Sequence, residues 1–252
     1  MKCFLSLALF VTLLVCTVRA DEVFSNLLSS ADSAERRGDV AKAAAIYDVA
    51  RHAGTNDAPN LCVLARRYCD LSSLASSAGV QKGLVARALD CAGRAVALEP
   101  GNATAHASVA VCYAKSCAFA DIKTELAYSK LFKQEAEKAI ALNPKEDVAY
   151  YLLGRWNYAI ANVGFFSRTY VRMIYGGFPK ASLADSVLYF KKACELAPNR
   201  ILYHAGLATA YGALGEKKLQ LAELQACCSL KPSDPEDAKA RADAEKQLQM
   251  MN

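Results

Sequence analysis

The sequence predicts an all-α protein, a solenoid of about five helix–turn–helix repeats ended by a C-terminal capping helix. Three observations predict it. The pattern Ala88-x3-Ala92-x2-Ala95-x4-Pro100 returns as Phe132-x3-Ala136-x2-Ala139-x4-Pro144, as Ser186-x3-Phe190-x2-Ala193-x4-Pro198, and more loosely as Gln220-x3-Leu224-x2-Cys227-x4-Pro232. In each, three positions fall on one side of a helix, and a proline follows that cannot continue it. The interval from Pro198 to Pro232 is 34 residues, the period of a two-helix repeat, and a composition 54% apolar supplies the stacked local cores that such a repeat needs.

A 34-residue unit with these features is tetratricopeptide-like (TPR-like). The first repeat starts near Glu22, with Leu27, Ala31 and Ala34 on one stripe, a turn at Gly38-Asp39, and Ala43, Tyr47 and Ala50 on the second helix. The second places Leu61, Leu64, Ala65 and Tyr68 inward, and its Ser/Gly-rich stretch from Ser72 to Gly83 reads as a long turn. The third follows Pro100-Gly101, with Asn102 or Thr104 as the cap of a helix carrying Val109, Ala110 and Tyr113. The fourth opens on a helix from Val148 that is apolar nearly all round, in which Gly154 fits a close helix contact. About twenty extra residues, 162–181, separate it from its partner helix, announced by Ser182 with Asp185 three residues on. The fifth carries Leu207, Ala208, Tyr211 and Gly215. Asp234-Pro235-Glu236-Asp237 then begins a charged helix, with acids at its positive end, that reads as a solubilising cap. The repeat face and its stops are therefore Ala95, Pro100, Ala139, Pro144, Gly154, Ala193, Pro198 and Pro232.

Residues 1–20 have another character. Lys2, the apolar run from Phe4 to Val15, and Val18-Arg19-Ala20 follow the order of a cleavable secretory signal peptide, which predicts an exported protein whose repeat domain is 21–252. The alternative is a membrane anchor at residues 3–18, which is short of the roughly 20 residues that span a bilayer. Eight cysteines follow the leader, and most take positions of small buried hydrophobes; Cys69 with Cys91 is one pairing open to an exported chain. Asn102-Ala103-Thr104 is a glycosylation sequon in an exposed turn. A net charge of +5 over 252 residues gives no reason to expect nucleic acid.

The combination Leu153-Gly154-Arg155-Trp156-x-Tyr158-x-x-Ala161-Asn162, the aromatics with Arg168, then Pro179-x-Ala181-Ser182 and Tyr189-Phe190-x-Lys192-Ala193 resembles the regulator of microtubule dynamics family of TPR-like proteins. About fifty residues carry this resemblance. It implies a non-enzymatic helical adaptor, associated in eukaryotic members with microtubules and membranes, some through an N-terminal anchor. The N-terminus here departs from that pattern, and an exported chain would be separated from cytoplasmic filaments.

No constellation for catalysis, a cofactor or a metal stands out. The sequence has no CxxC, phosphate-binding glycine loop or GxSxG, and His52, His106 and His204 belong to no HExxH. His106 and His204, at equivalent repeat positions, read as helix-face histidines with hydrogen-bond partners, and Glu135 and Glu137 as solvated carboxylates. A TPR-like architecture binds protein or peptide partners, here in its groove or along the insertion. Partner contact is read onto Arg155 and Trp156, and onto Arg168, Tyr170 and Arg172 of the insertion. Written as a helix, the insertion puts Phe165/Phe166, Thr169/Tyr170 and Met173/Ile174 on one stripe, packed as a lid, with the arginines projecting elsewhere toward an acidic protein. The alternative for 165–175 is a basic aromatic tether to an anionic membrane surface.

Overall fold

Twelve α-helices, one short 3-10 helix at Cys117–Phe119 and no strand are found in the described residues of the computed structural model, which are 22–52, 57–177 and 179–251; the side chains of Phe165, Phe166, Tyr170 and Tyr175 are also outside the description. The helices are α1 (22–35), α2 (Val40–His52), α3 (Ala58–Leu74), α4 (Ala78–Leu98), α5 (Ala103–Ser116), α6 (Ile122–Leu142), α7 (Asp147–Ala161), α8 (Phe165–Tyr175), α9 (Leu183–Leu196), α10 (Ile201–Leu214), α11 (Lys217–Ser229) and α12 (Pro235–Met251). They form two compact units divided between Pro100 and Gly101.

In unit 1, α2 packs on α3 and α3 on α4. Phe24, Ala31, Ala34, Ala43, Tyr47, Leu61, Leu64 and Tyr68 are buried, so the predicted stripes form the core, with Phe24 where Leu27 was expected. Each core tyrosine keeps its hydroxyl satisfied: Tyr47 donates to Glu35 at 2.6 Å and Tyr68 to Asp48 at 2.9 Å. The predicted long turn is much shorter, because α3 runs to Leu74 and α4 begins at Ala78. Gly79 and Gly83 lie inside α4, where each costs roughly 1 kcal/mol in helix propensity. Burial of Leu84, Val85 and Ala88 against α3 offsets that cost, and Gln81 Nε2 closes the turn on the Ala75 carbonyl at 2.6 Å.

Unit 2 is built from the pairs α5/α6, α7/α9 and α10/α11, with α12 packed on α10 and α11. The recurring alanine does one job at each helix end. Its carbonyl accepts the last amide before the stop: Glu99 to Ala95 in unit 1, Asn143 to Ala139, and Ala197 to Ala193, all at 2.9 Å. In the looser fourth copy the bond moves by one residue, from Leu230 to Ala226 at 3.2 Å, and Cys227 holds the buried position. Asn102 caps α5 by accepting the Ala105 amide at 3.1 Å, and Ser182 caps α9 by accepting that of Asp185 at 3.0 Å.

Gly154 is the predicted close crossing. A Cβ there would lie 2.8–2.9 Å from three ring atoms of Phe190, and one on Gly206 would lie 2.5–3.0 Å from the same ring. Phe190 of α9 is thus wedged between bare backbone of α7 and of α10, and Ser186 one turn earlier donates to the Gly154 carbonyl at 2.8 Å. Gly206 has no signature in the repeat spacing. Asp237, fully buried, accepts the amides of Leu202 at 3.0 Å and Ser233 at 3.2 Å and the Ser233 hydroxyl at 2.6 Å. A side chain of the capping helix therefore supplies the anion at the N-terminus of α10.

The eight described cysteines are free, so Cys69 and Cys91 are not paired, and five of the eight are buried. Burial pushes the thiols of Cys91 up to about 11 and Cys227 up to about 12, as expected of inert packing residues. No described helix is long and apolar enough to cross a membrane.

Candidate functional site

The residues proposed from sequence for partner contact come from α7 and α8, and the structure separates their roles. Trp156 is corrected from a contact residue to a core residue. It is 2% exposed, its Nε1–H donates to the Ser129 hydroxyl at 3.0 Å and carbonyl at 3.2 Å, and Lys133 Nζ lies 5.4 Å from its ring centroid. A helix apolar nearly all round packs against neighbours on several sides, so its aromatic is spent on the fold. Arg155, the next residue back, is exposed, with its guanidinium 5.8 Å from the centroid of Tyr151.

Arg168 is exposed along its length but anchored at its tip, where its guanidinium donates to the Ile160 carbonyl at 2.7 Å and the Ala161 carbonyl at 3.4 Å. These are among the orphan carbonyls at the C-terminus of α7, where a cation is favoured by the helix dipole. Val171, three residues on, is 4% exposed and shares that rooted side. Gly176, at φ 80°, ends α8 in the left-handed conformation that favours glycine.

The lid reading of the apolar stripe does not hold at its described end. Met173 is 79% exposed and Ile174 53%, so the rooted side is that of Arg168 and Val171, and Met173/Ile174 face water. The helix turns this way because Arg168 must reach the end of α7, which fixes its rotation. Arg172 is exposed beside them, and α8 contains no acidic residue. The side chain of Tyr170 lies outside the described residues.

Two of the three histidines, His106 and His204, hold pairs of helices together. His106, 1% exposed, bonds through Nδ1 to Glu135 of α6 at 2.5 Å, so Glu135 is not the solvated carboxylate it was read as; Glu137 is, paired with Lys133 at 2.7 Å. His204, at the equivalent position in α10, bonds Glu223 of α11 through Nδ1 at 2.7 Å and the Pro198 carbonyl through Nε2 at 2.9 Å. Both of these partners only accept, so both ring nitrogens of His204 carry protons. Hydrogen bonding to Cys194 and Glu223 raises the His204 pKa to about 10. Among the described residues, no group of three or more His, Cys, Asp or Glu side chains is placed to hold a metal ion.

Lys115 of α5 and Glu236 of α12, 121 residues apart, meet at 3.4 Å, so an ion pair joins the first and last helices of unit 2. In unit 1 a cavity of about 700 Å³ opens between α2 and the start of α4, lined by small residues such as Ala41 and Gly83; its Asp48 and Arg87 are already paired with each other at 3.2 Å.

Comparison with known proteins places this geometry. Over 184 residues the chain is 29% identical to regulator of microtubule dynamics protein 1 of Mus musculus, covering 72% of this chain and 59% of that protein. With regulator of microtubule dynamics protein 3 of Xenopus laevis it shares 29% identity over 73% of this chain and 40% of the relative. The chain thus spans from under half to about three-fifths of the length of these relatives. A thermophilic TPR protein of Thermus thermophilus superposes with a TM-score of 0.61 at 18% identity, covering 88% of this chain and 98% of that one, which shows the shared fold. The matches to the curated relatives overturn the exported location read from the N-terminus: the relatives are animal proteins named for microtubule dynamics, a process of the cell interior. The leader and anchor readings fall on residues outside the description, and the glycosylation expectation for Asn102 goes with the export that motivated it. The profile of the family described as regulator of microtubule dynamics protein 1-3 matches residues 27–252 of the 252, and the chain belongs to that family.

Proposed function

We propose that this chain is a non-catalytic binding protein that engages a protein partner in the control of microtubules, and that the outer side of α8 makes the contact. The supporting observation is the exposure of Met173 and Ile174 beside Arg172, on a helix held in place by its opposite side. Covering such side chains contributes roughly 1.5–3 kcal/mol each when burial is complete. The arginine, with no acid on the same helix, selects a partner of negative charge. The names of the relatives supply the process.

Co-sedimentation of the full chain with stabilised microtubules tests the reading. Met173→Ser/Ile174→Ser and, separately, Arg172→Glu are expected to reduce binding at least tenfold, while stability changes by no more than about 0.5 kcal/mol, as is usual for surface positions. Unchanged sedimentation of both variants would remove α8 from the contact. The same apolar and basic side also matches an anionic headgroup layer. Capture by phosphatidylserine vesicles without capture by microtubules would assign α8 to a lipid surface instead.

A further inference from the structure

A second group of cations lies where the first helices of successive pairs in unit 2 meet. α5 contacts α7, α7 contacts α10, and α10 contacts α12. Residues on the side these helices share come together from distant parts of the chain. Lys115 lies in the last turn of α5 and Glu236 in the first turn of α12, and their 3.4 Å contact closes the series.

Tyr151 of α7 forms the floor next to this pair. Its ring stacks on Tyr203 at 5.0 Å and lies 5.8 Å from the Arg155 guanidinium. Its hydroxyl bonds to Arg155 and feels the charges of Glu236 and Arg200. Arg200 is committed to Asp234 and Asp237. Arg155 is different: among the described residues it has no carboxylate partner, and its side chain is exposed. Two cations, Lys115 and Arg155, thus flank an aromatic floor, and the acid beside them, Glu236, satisfies Lys115 alone. An ion pair whose members are 24% and 36% exposed is screened by solvent and only weakly stabilising, so it exchanges readily for other carboxylates.

We propose that this side of unit 2 binds an acidic peptide segment through Lys115 and Arg155, the latter held over the buried Tyr151, and that Glu236 occupies the site in cis as an internal competitor. A peptide with several carboxylates engages both cations at once, which Glu236 does not. The capping helix then does more than shield the end of the repeat array: its first turn sets the threshold that an incoming ligand must exceed.

The test uses the full chain and a dye-labelled hexaglutamate peptide, read by fluorescence anisotropy at low salt. Glu236→Gln keeps the shape of the side chain and removes its charge. It is expected to tighten binding roughly two- to fivefold, corresponding to about 0.4–1 kcal/mol. Adding Arg155→Glu or Lys115→Glu to Glu236→Gln is expected to return affinity to the wild-type level or below. Arg172→Glu on α8 should leave hexaglutamate binding unchanged, which separates this site from the α8 contact. Lys115→Met serves as a second variant that preserves apolar packing should charge reversal disturb the fold. Binding by Glu236→Gln no tighter than wild type, or binding insensitive to Arg155→Glu, would overturn the proposal, as would loss of all binding on Arg172→Glu.

Discussion

Adding a single methyl group at Gly154 tests whether the α7–α9–α10 packing is set by Phe190. Apolar carbons rest 3.5–4.0 Å apart. A Cβ on Gly154 would come within 2.8–2.9 Å of three ring atoms, an overlap of roughly 0.6–1.2 Å. The ring has nowhere to retreat: it is 2% exposed, Gly206 backs it from α10, and Tyr151 lies across it at 5.8 Å between centroids. Overpacking of this kind costs about 1–3 kcal/mol, and the absence of a free direction argues for the upper end. Alanine in place of glycine returns about 1 kcal/mol of helix propensity, so Gly154→Ala is expected to destabilise by a net of about 2 kcal/mol. In a Phe190→Ala background the overlap is gone and only the propensity gain is left, so the same substitution should stabilise by about 1 kcal/mol. Trp156, the only tryptophan of the chain, is buried two residues from Gly154, so its fluorescence during urea unfolding reports on unit 2. The expected signature is a change of sign between the two backgrounds. Destabilisation of equal size in both would refute the role given to Phe190.

Two further outcomes follow from polar groups that tie helices together in unit 2. Asp237→Ala removes the acceptor of the Leu202 amide and one carboxylate facing Arg200, and is expected to cost roughly 2–4 kcal/mol, seen as faster amide exchange in α12 and the first turn of α10; protection equal to wild type would show that the cap is dispensable. His204 has a folded pKa of about 10 against an ordinary value of 6.5, so its contribution is fully present below about pH 6.5 and is lost as pH rises toward 10. Melting temperature should therefore fall more steeply between pH 7 and 10 in the wild type than in His204→Gln, and parallel slopes would contradict the doubly protonated ring.

The sequence by itself determined the class of the fold, because that information is local and periodic. A helix repeats its side every 3.6 residues, and proline stops a helix wherever it falls, so Ala95, Ala139 and Ala193 with Pro100, Pro144 and Pro198 declare second helices and their ends without any neighbour. Gly154 was legible for a related reason, since a glycine inside an apolar helix has few uses other than a crossing. The family was legible too, since the motif from Leu153 to Ala193 is contiguous. Tertiary structure alone decided what each side chain faces. Trp156 and Arg155 are adjacent in sequence, yet a rotation of about 100° along α7 buries one and exposes the other. The rotation of α8 was likewise undetermined by its composition: its apolar stripe invites burial, and the C-terminal carbonyls of α7, which Arg168 must reach, turn Met173 and Ile174 outward instead. Gly206 against Phe190, Asp237 at the start of α10, and Lys115 with Glu236 depend on residues brought together by the stacking of successive pairs. Repeat spacing sets the existence of those pairs, while the side chains that touch across them are fixed only when the helices pack.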